Sequence, residues 1–168
     1  MALVAGGISG NGSVGQTCSI DVFGNLFCSG SKSAVVPVDG GKRRVALYAV
    51  EAPENWFEDF GSGQLLNGAA TIALDSVYTQ TVNTDVEYHV FLTPRGECEG
   101  LYVGATAAGT FEVRELHHGT SNIKFDYRIV ARRKGYEDIR LADKTDQFDR
   151  TNAQMKRALA QNVAAQQK

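Results

Sequence analysis

The sequence predicts a mainly β protein: an antiparallel β-sandwich or meander, with an N-terminal Gly-rich β arm and a C-terminal α-helix. Three observations carry this expectation. Six short β-prone runs lie between residues 44 and 131 among Gly, Asn or Asp turn residues, and those at 44–50, 86–92 and 123–131 show the apolar–polar alternation of half-buried strands. Seven glycines fall in the first thirty residues with little apolar bulk between them. From residue 143 the period lengthens to helical spacing.

The chain has 168 residues, 43% of them hydrophobic and 21% charged, with a formal net charge of -2. That is enough apolar mass for a core and argues against wholesale disorder. The 18 glycines have no three-residue period, which excludes collagen. No run approaches the ~20 apolar residues of a membrane-spanning helix, so no membrane insertion is expected. Residues 1–7 (MALVAGG) lack the basic start and long apolar run of a signal peptide. A protein acting outside its cell with this start would leave by a route the chain does not encode, or be a piece of something longer. A pI near 5.9 gives no reason to expect nucleic acid.

Taken in order, residues 1–41 form the arm or stalk segment. Residues 18–23 and 26–29 are β-prone pieces flanking Gly24-Asn25, a hairpin signal because both residues tolerate positive φ. A two-residue turn there sets Asp21 opposite Cys28, which disfavours a Cys18–Cys28 disulfide. Residues 42–142 form the β-rich domain, with strands at 44–50, 69–74, 86–92, 100–103, 110–116 and 123–131. Asn67-Gly68 supplies a turn, and 75–82 a helical turn capped by Asp75. Residues 123–131 (IKFDYRIVA) put apolar side chains on odd numbers with charges between, a sheet wet on one face. Residues 143–168 begin with acids at the favourable end of a helix dipole. There Phe148, Met155 and Leu159 share a seam with Asn152, Asn162 and Gln166: either a weak coiled-coil stripe or an apolar edge lying on the β domain.

Charge is uneven. Up to residue 44, four bases face two acids; from 45 to 123, two bases face eleven acids; from 124 onward, eleven bases face six acids. Such blocks suggest complementary surfaces within a subunit or between copies.

Residues 48–63 (YAVEAPENWFEDFGSG), 88–96 (YHVFLTPRG) and 125–137 (FDYRIVARRKGYE) together resemble a C-terminal tip domain of phage tail-fibre-like and long repetitive bacterial surface proteins. Residues 20–26 (IDVFGNL) resemble the glycine-punctuated β repeats that precede such tips. The likeness covers roughly residues 18–142. It implies a fibre tip or capping domain, extracellular on a virion fibre or bacterial cell surface, acting by assembly and attachment, commonly as a homotrimer. It transfers no catalytic motif. Three arms wound together could also bury what one glycine-rich arm cannot.

Candidate chemistry is weak beside its structural alternatives. Glu54 and Glu58, with Glu51 and Asp59, form the densest acidic cluster. Paired carboxylates can serve as acid and base or ligate Ca²⁺, yet the spacing fits no EF-hand. Beside Trp56, Phe57 and Phe60 they suit a solvated rim over an aromatic core. His117 and His118 sit in a Gly-Thr-Ser loop; on an extended chain they point opposite ways, which favours a polar loop tip over a metal site. The three cysteines offer neither C-x-x-C nor zinc spacing. Phe60-Gly61-Ser62-Gly63 is no nucleophile elbow and reads as a turn. Arg132, Arg133 and Lys134 make a small basic patch whose favoured partner is the acidic belt of a neighbouring subunit. Tyr88, Tyr102, Tyr127 and Trp56 read as core residues before they read as a sugar platform.

The expected function is therefore non-enzymatic: a structural, attachment domain of a fibre or surface filament. It needs no cofactor or metal. Its partners are copies of itself, as a homo-oligomer with the trimer favoured, and a glycan or surface receptor; nucleic acid is not among them. The alternatives are a filament subunit polymerising by β-strand addition through the N-terminal arm, or a self-processing chaperone or glycan hydrolase.

Overall fold

The computed structural model describes residues 3–8, 14–20 and 25–166. The fold is mainly β, every sheet is antiparallel, and a long helix lies at the C-terminal end. Two compact units divide the chain: Ala52–Ala142, and a second built from Met1–Glu51 with Asp143–Lys168.

The unit Ala52–Ala142 is a sandwich of two three-stranded sheets. One places β11 (Lys124–Arg132) between β6 (Trp56–Gln64) and β8 (His89–Pro94). The other places β10 (Thr110–Glu115) between β7 (Ala69–Ala73) and β9 (Leu101–Ala107). The expected alternation holds along β11: Phe125, Ile129 and Ala131 are buried while Lys124 and Arg128 face out. These meet Phe111 and Val113 of β10 in a core that also takes in Leu65, Leu74, Val82 and Tyr88. Phe111 and Tyr127 touch edge to face across the two sheets, centroids 5.2 Å apart. Full burial of a side chain such as Phe111 or Phe125 contributes about 1.5–3 kcal/mol.

Local signals explain the connections. Asn67 and Gly68 take φ of 50° and 77°, the paired left-handed geometry a two-residue hairpin turn requires. Asp75 caps the one-turn helix α1 (Tyr78–Thr81) as expected, its Oδ1 accepting the N–H groups of Val77 and Tyr78, both at 2.8 Å.

β6 corrects the reading of Phe60-Gly61-Ser62-Gly63 as a turn: these residues are the middle of a nine-residue strand. Gly61 pairs with Tyr127 and Gly63 with Phe125. A Cβ on Gly61 would run into the Tyr127 ring, and one on Gly63 would lie 2.6 Å from Phe125 Cζ. The glycines leave room for cross-strand rings to lie over the backbone, which is why apolar alternation disappears from β6.

In the other unit, β1 (Leu3–Ile8), β2 (Val14–Ile20) and β3 (Leu26–Cys28) form one sheet, and β4 (Ser33–Val38) pairs with β5 (Arg43–Tyr48). The expected division at 41/42 would cut this hairpin, whose turn is built on positive φ at Asp39, Gly40 and Gly41. The expectation against a Cys18–Cys28 disulfide is also overturned. Ile20 pairs with Leu26, so Cys18 lies directly opposite Cys28, 4.1 Å between Cα atoms, and the two are bonded. The connection spans residues 21–25 rather than two residues; most of it, with Gly24, lies outside the described residues, as do Gly10 and Gly12 of the arm.

α2 (Thr145–Gln166) opens as anticipated on an acid: Asp143 Oδ1 accepts from the Thr145 N–H at 2.8 Å and its hydroxyl at 2.6 Å. Phe148 lines a pocket of about 210 Å³ with Leu26 and Phe27, so the N-terminal sheet receives it rather than the 42–142 stretch. The side chains of Met155 and Leu159 lie outside the described residues. No helix among the described residues is long and apolar enough to cross a membrane.

Candidate functional site

The outer face of the β6–β11–β8 sheet brings together Trp56, Glu58 and Arg132 of the residues that the sequence singles out, with Glu54 paired to Arg132. Antiparallel register builds it row by row. Arg132 lies opposite Trp56. Val130 lies between Glu58 and His89, Arg128 between Phe60 and Phe91, and Asp126 between Ser62 and Thr93. Because strand side chains alternate, all of these point away from the core.

Two arginines organise the face. Arg128 grips Glu58 in a two-pronged pair, Nη2–Oε1 2.7 Å and Nε–Oε2 3.0 Å, while its guanidinium stands 5.5 Å from the Phe91 ring centre. The Glu58 hydrogen bond raises the Arg128 pKa further, fixing the charge at any working pH. Arg132 lies 5.4 Å above the Trp56 ring and pairs with Glu54, Nη2–Oε1 3.4 Å. Glu54 also meets Arg140 at 3.9 Å and is bridged to it by backbone pairing. The Nε of Arg132 is buried with no hydrogen-bond partner. Trp56 in turn packs against the His89 ring, centroids 5.4 Å apart.

Magnitudes separate stability from function on this face. Exposed ion pairs contribute about 0–1 kcal/mol, and exposed cation–π contacts about 0.5–1 kcal/mol. Neither accounts for Phe60 and Phe91 standing 67% and 54% exposed. Clustered exposed aromatics beside arginine are the composition of a contact surface rather than of a fold-stabilising one.

Beneath the sheet the electrostatics differ. Asp59 points to the inner side near two phenols. Burial, then the nearby Asp59 charge, pushes the Tyr78 hydroxyl up to about 12, and raises that of Tyr127 for the same reasons. Tyr78 donates to the Phe57 carbonyl at 2.9 Å and stays a donor throughout the physiological range.

Trp56, Glu54, Glu58 and Arg132 come together here, but not as anticipated. Trp56 and Phe60 share the outward side with Glu58 instead of forming a core beneath an acidic rim. The basic patch does not exist as one surface. Arg132 has an acid of its own chain, Arg133 stacks on Tyr136 at 4.2 Å and on Phe57 at 5.6 Å, and Lys134 is exposed. The four aromatics expected in the core divide, with Trp56 on the outer face under Arg132. Tyr88 is buried, its hydroxyl donating toward the carbonyl oxygens of Thr110 at 2.7 Å and Ala107 at 3.2 Å. Tyr127 is inside, and Tyr102 belongs to the other sheet.

His117 and His118 do occupy an exposed loop tip after β10, but both have left-handed φ, 53° and 57°, so the extended-chain premise fails. Among the described residues no group of three or more His, Cys, Asp or Glu could hold a metal ion. Glu115 anchors this loop from below. It is nearly buried, and its carboxylate accepts the N–H groups of Ser121 at 2.8 Å and Glu99 at 3.0 Å, which hold it below the usual carboxylate range.

Phe60, His89, Phe91 and Arg128 were missed as candidates. The alternation of β11 already marks Arg128 as outward; the aromatic neighbours emerge only once three strands are in register. Comparison with protein-family models finds no match, and comparison with curated proteins finds none either.

Proposed function

We propose that the chain is a non-enzymatic attachment module that holds a surface glycan on the outer face of its β6–β11–β8 sheet, as the tip of a fibre or surface filament would. The observation that carries this reading is the exposure of Phe60 and Phe91 on either side of an arginine already fixed by Glu58. Sugar rings present C–H faces to aromatic rings, and their hydroxyls suit the donors and acceptors of two-pronged arginine–carboxylate pairs. These groups hold and orient; they do not turn over a substrate.

A glycan microarray probed with labelled chain tests the proposal. Binding to a defined set of glycans is expected for the native chain, and at least a tenfold loss for Phe60→Ala combined with Phe91→Ala, a change of about 1.4 kcal/mol. Absence of binding, or equal binding by the variant, refutes it.

A further inference from the structure

The β4–β5 hairpin stands alone as a two-stranded sheet among the described residues. Such hairpins are marginal in water. This one also exposes Val35, Leu47 and Tyr48.

Its two free edges are not equivalent. The Ala49 N–H donates to the Lys32 carbonyl at 2.9 Å, which sets the phase of the ladder. With Val36 opposite Val45, residues 34, 36 and 38 exchange backbone bonds with 47, 45 and 43, and the intervening residues turn their backbone groups outward. On β4 that outward set includes Pro37, which has no N–H, so this edge cannot carry a regular ladder. On β5 it comprises Arg44, Ala46 and Tyr48, all exposed, whose N–H groups have no partner among the described residues.

We propose that this β5 edge pairs antiparallel with β5 of a second copy, about a twofold axis at Ala46, making a four-stranded sheet. In that register Arg44 of each copy faces Tyr48 of the other, a cation beside an aromatic ring. On the opposite side Val45 faces Leu47. Small Ala46 meets itself on the axis. A register centred on Arg44 would oppose two guanidiniums, and one centred on Tyr48 would carry Arg44 past the end of the pairing. Because Pro37 closes the other edge, the assembly stops at two copies. It is neither an open strand-addition filament nor the threefold arrangement that the fibre-tip resemblance implies. It is independent of the glycan face.

Light scattering at about 100 μM should give twice the 18.1 kDa chain mass. Ala46→Pro should give a monomer, since the lost N–H points away from β4 and the hairpin's own ladder is untouched. In a Cys98→Ser background, Ala46→Cys should form a covalent dimer on mild oxidation, because paired antiparallel Cα atoms lie within disulfide reach. Val35→Cys, on the guarded edge, should remain uncrosslinked. A monomeric or trimeric native chain, a dimer unchanged by Ala46→Pro, or cross-linking at Val35→Cys as ready as at Ala46→Cys would overturn the proposal. Should the proline variant unfold, the two cysteine variants still decide it.

Discussion

Replacing Gly61 by alanine is the sharpest test of why β6 contains glycine. The added Cβ would meet the Tyr127 side chain, with Cε2 at 2.8 Å and the ring Cζ and hydroxyl oxygen closer still. Tyr127 cannot swing away freely, because its other side packs against buried Phe111. Overpacking of this kind costs about 1–3 kcal/mol, while the stiffer unfolded chain returns about 0.4–1 kcal/mol. With two Tyr127 atoms overlapped by the new Cβ, the upper half of that cost applies, about 2–3 kcal/mol, and the net loss is about 1–2.6 kcal/mol; for a unit the size of Ala52–Ala142, at roughly 4–8 °C per kcal/mol, Tm falls by about 4–21 °C. Trp56, the single tryptophan, lies in this unit and reports its unfolding by fluorescence. Ser62→Ala, on the exposed side, should change Tm little. In a Tyr127→Leu background Gly61→Ala should cost markedly less. A Gly61→Ala protein as stable as the native one, or a penalty that persists in full without the Tyr127 ring, would refute the reasoning.

Two further expectations follow from buried and bonded groups. Glu115 titrates lower folded than unfolded, so its stabilisation is complete above the ordinary value of 4.5 and is lost as pH falls through the depressed folded value. Glu115→Gln should flatten that acid limb in a pH series of unfolding midpoints, leaving the part contributed by Glu137 and Asp143, which shift the same way; an unchanged limb contradicts the assignment. Alkylation of the native chain without reductant should label Cys98 alone of the three cysteines, with Cys18 and Cys28 appearing only after reduction; labelling of all three before reduction contradicts the pairing.

What the sequence makes legible depends on whether one strand or several decide the matter. Alternation along residues 123–131 is a property of one strand, and it gives the faces of β11 correctly. Asn67-Gly68 and Asp75 are likewise local: one demands positive φ, the other offers a carboxylate to nearby N–H groups. β6 fails as a local reading because its inward positions include Asp59, Gly61 and Gly63, and the bulk that fills them comes from Tyr127 and Phe125 on the neighbouring strand. The β2–β3 register turned on loop length. A two-residue turn at Gly24-Asn25 moves the cysteines out of opposition, whereas direct pairing of Cys18 with Cys28 would itself have fixed the register. The acidic and basic clusters were visible, but not that β6 and β11 run side by side and neutralise Glu58 with Arg128 and Glu54 with Arg132 within one chain.

The most direct measurement is a titration of Trp56 fluorescence with a glycan selected on the array, in native chain and Phe91→Ala. A saturable change in emission that Phe91→Ala weakens at least tenfold is the predicted result. Saturable binding that leaves Trp56 silent and is indifferent to Phe91→Ala would place attachment elsewhere and contradict the central claim.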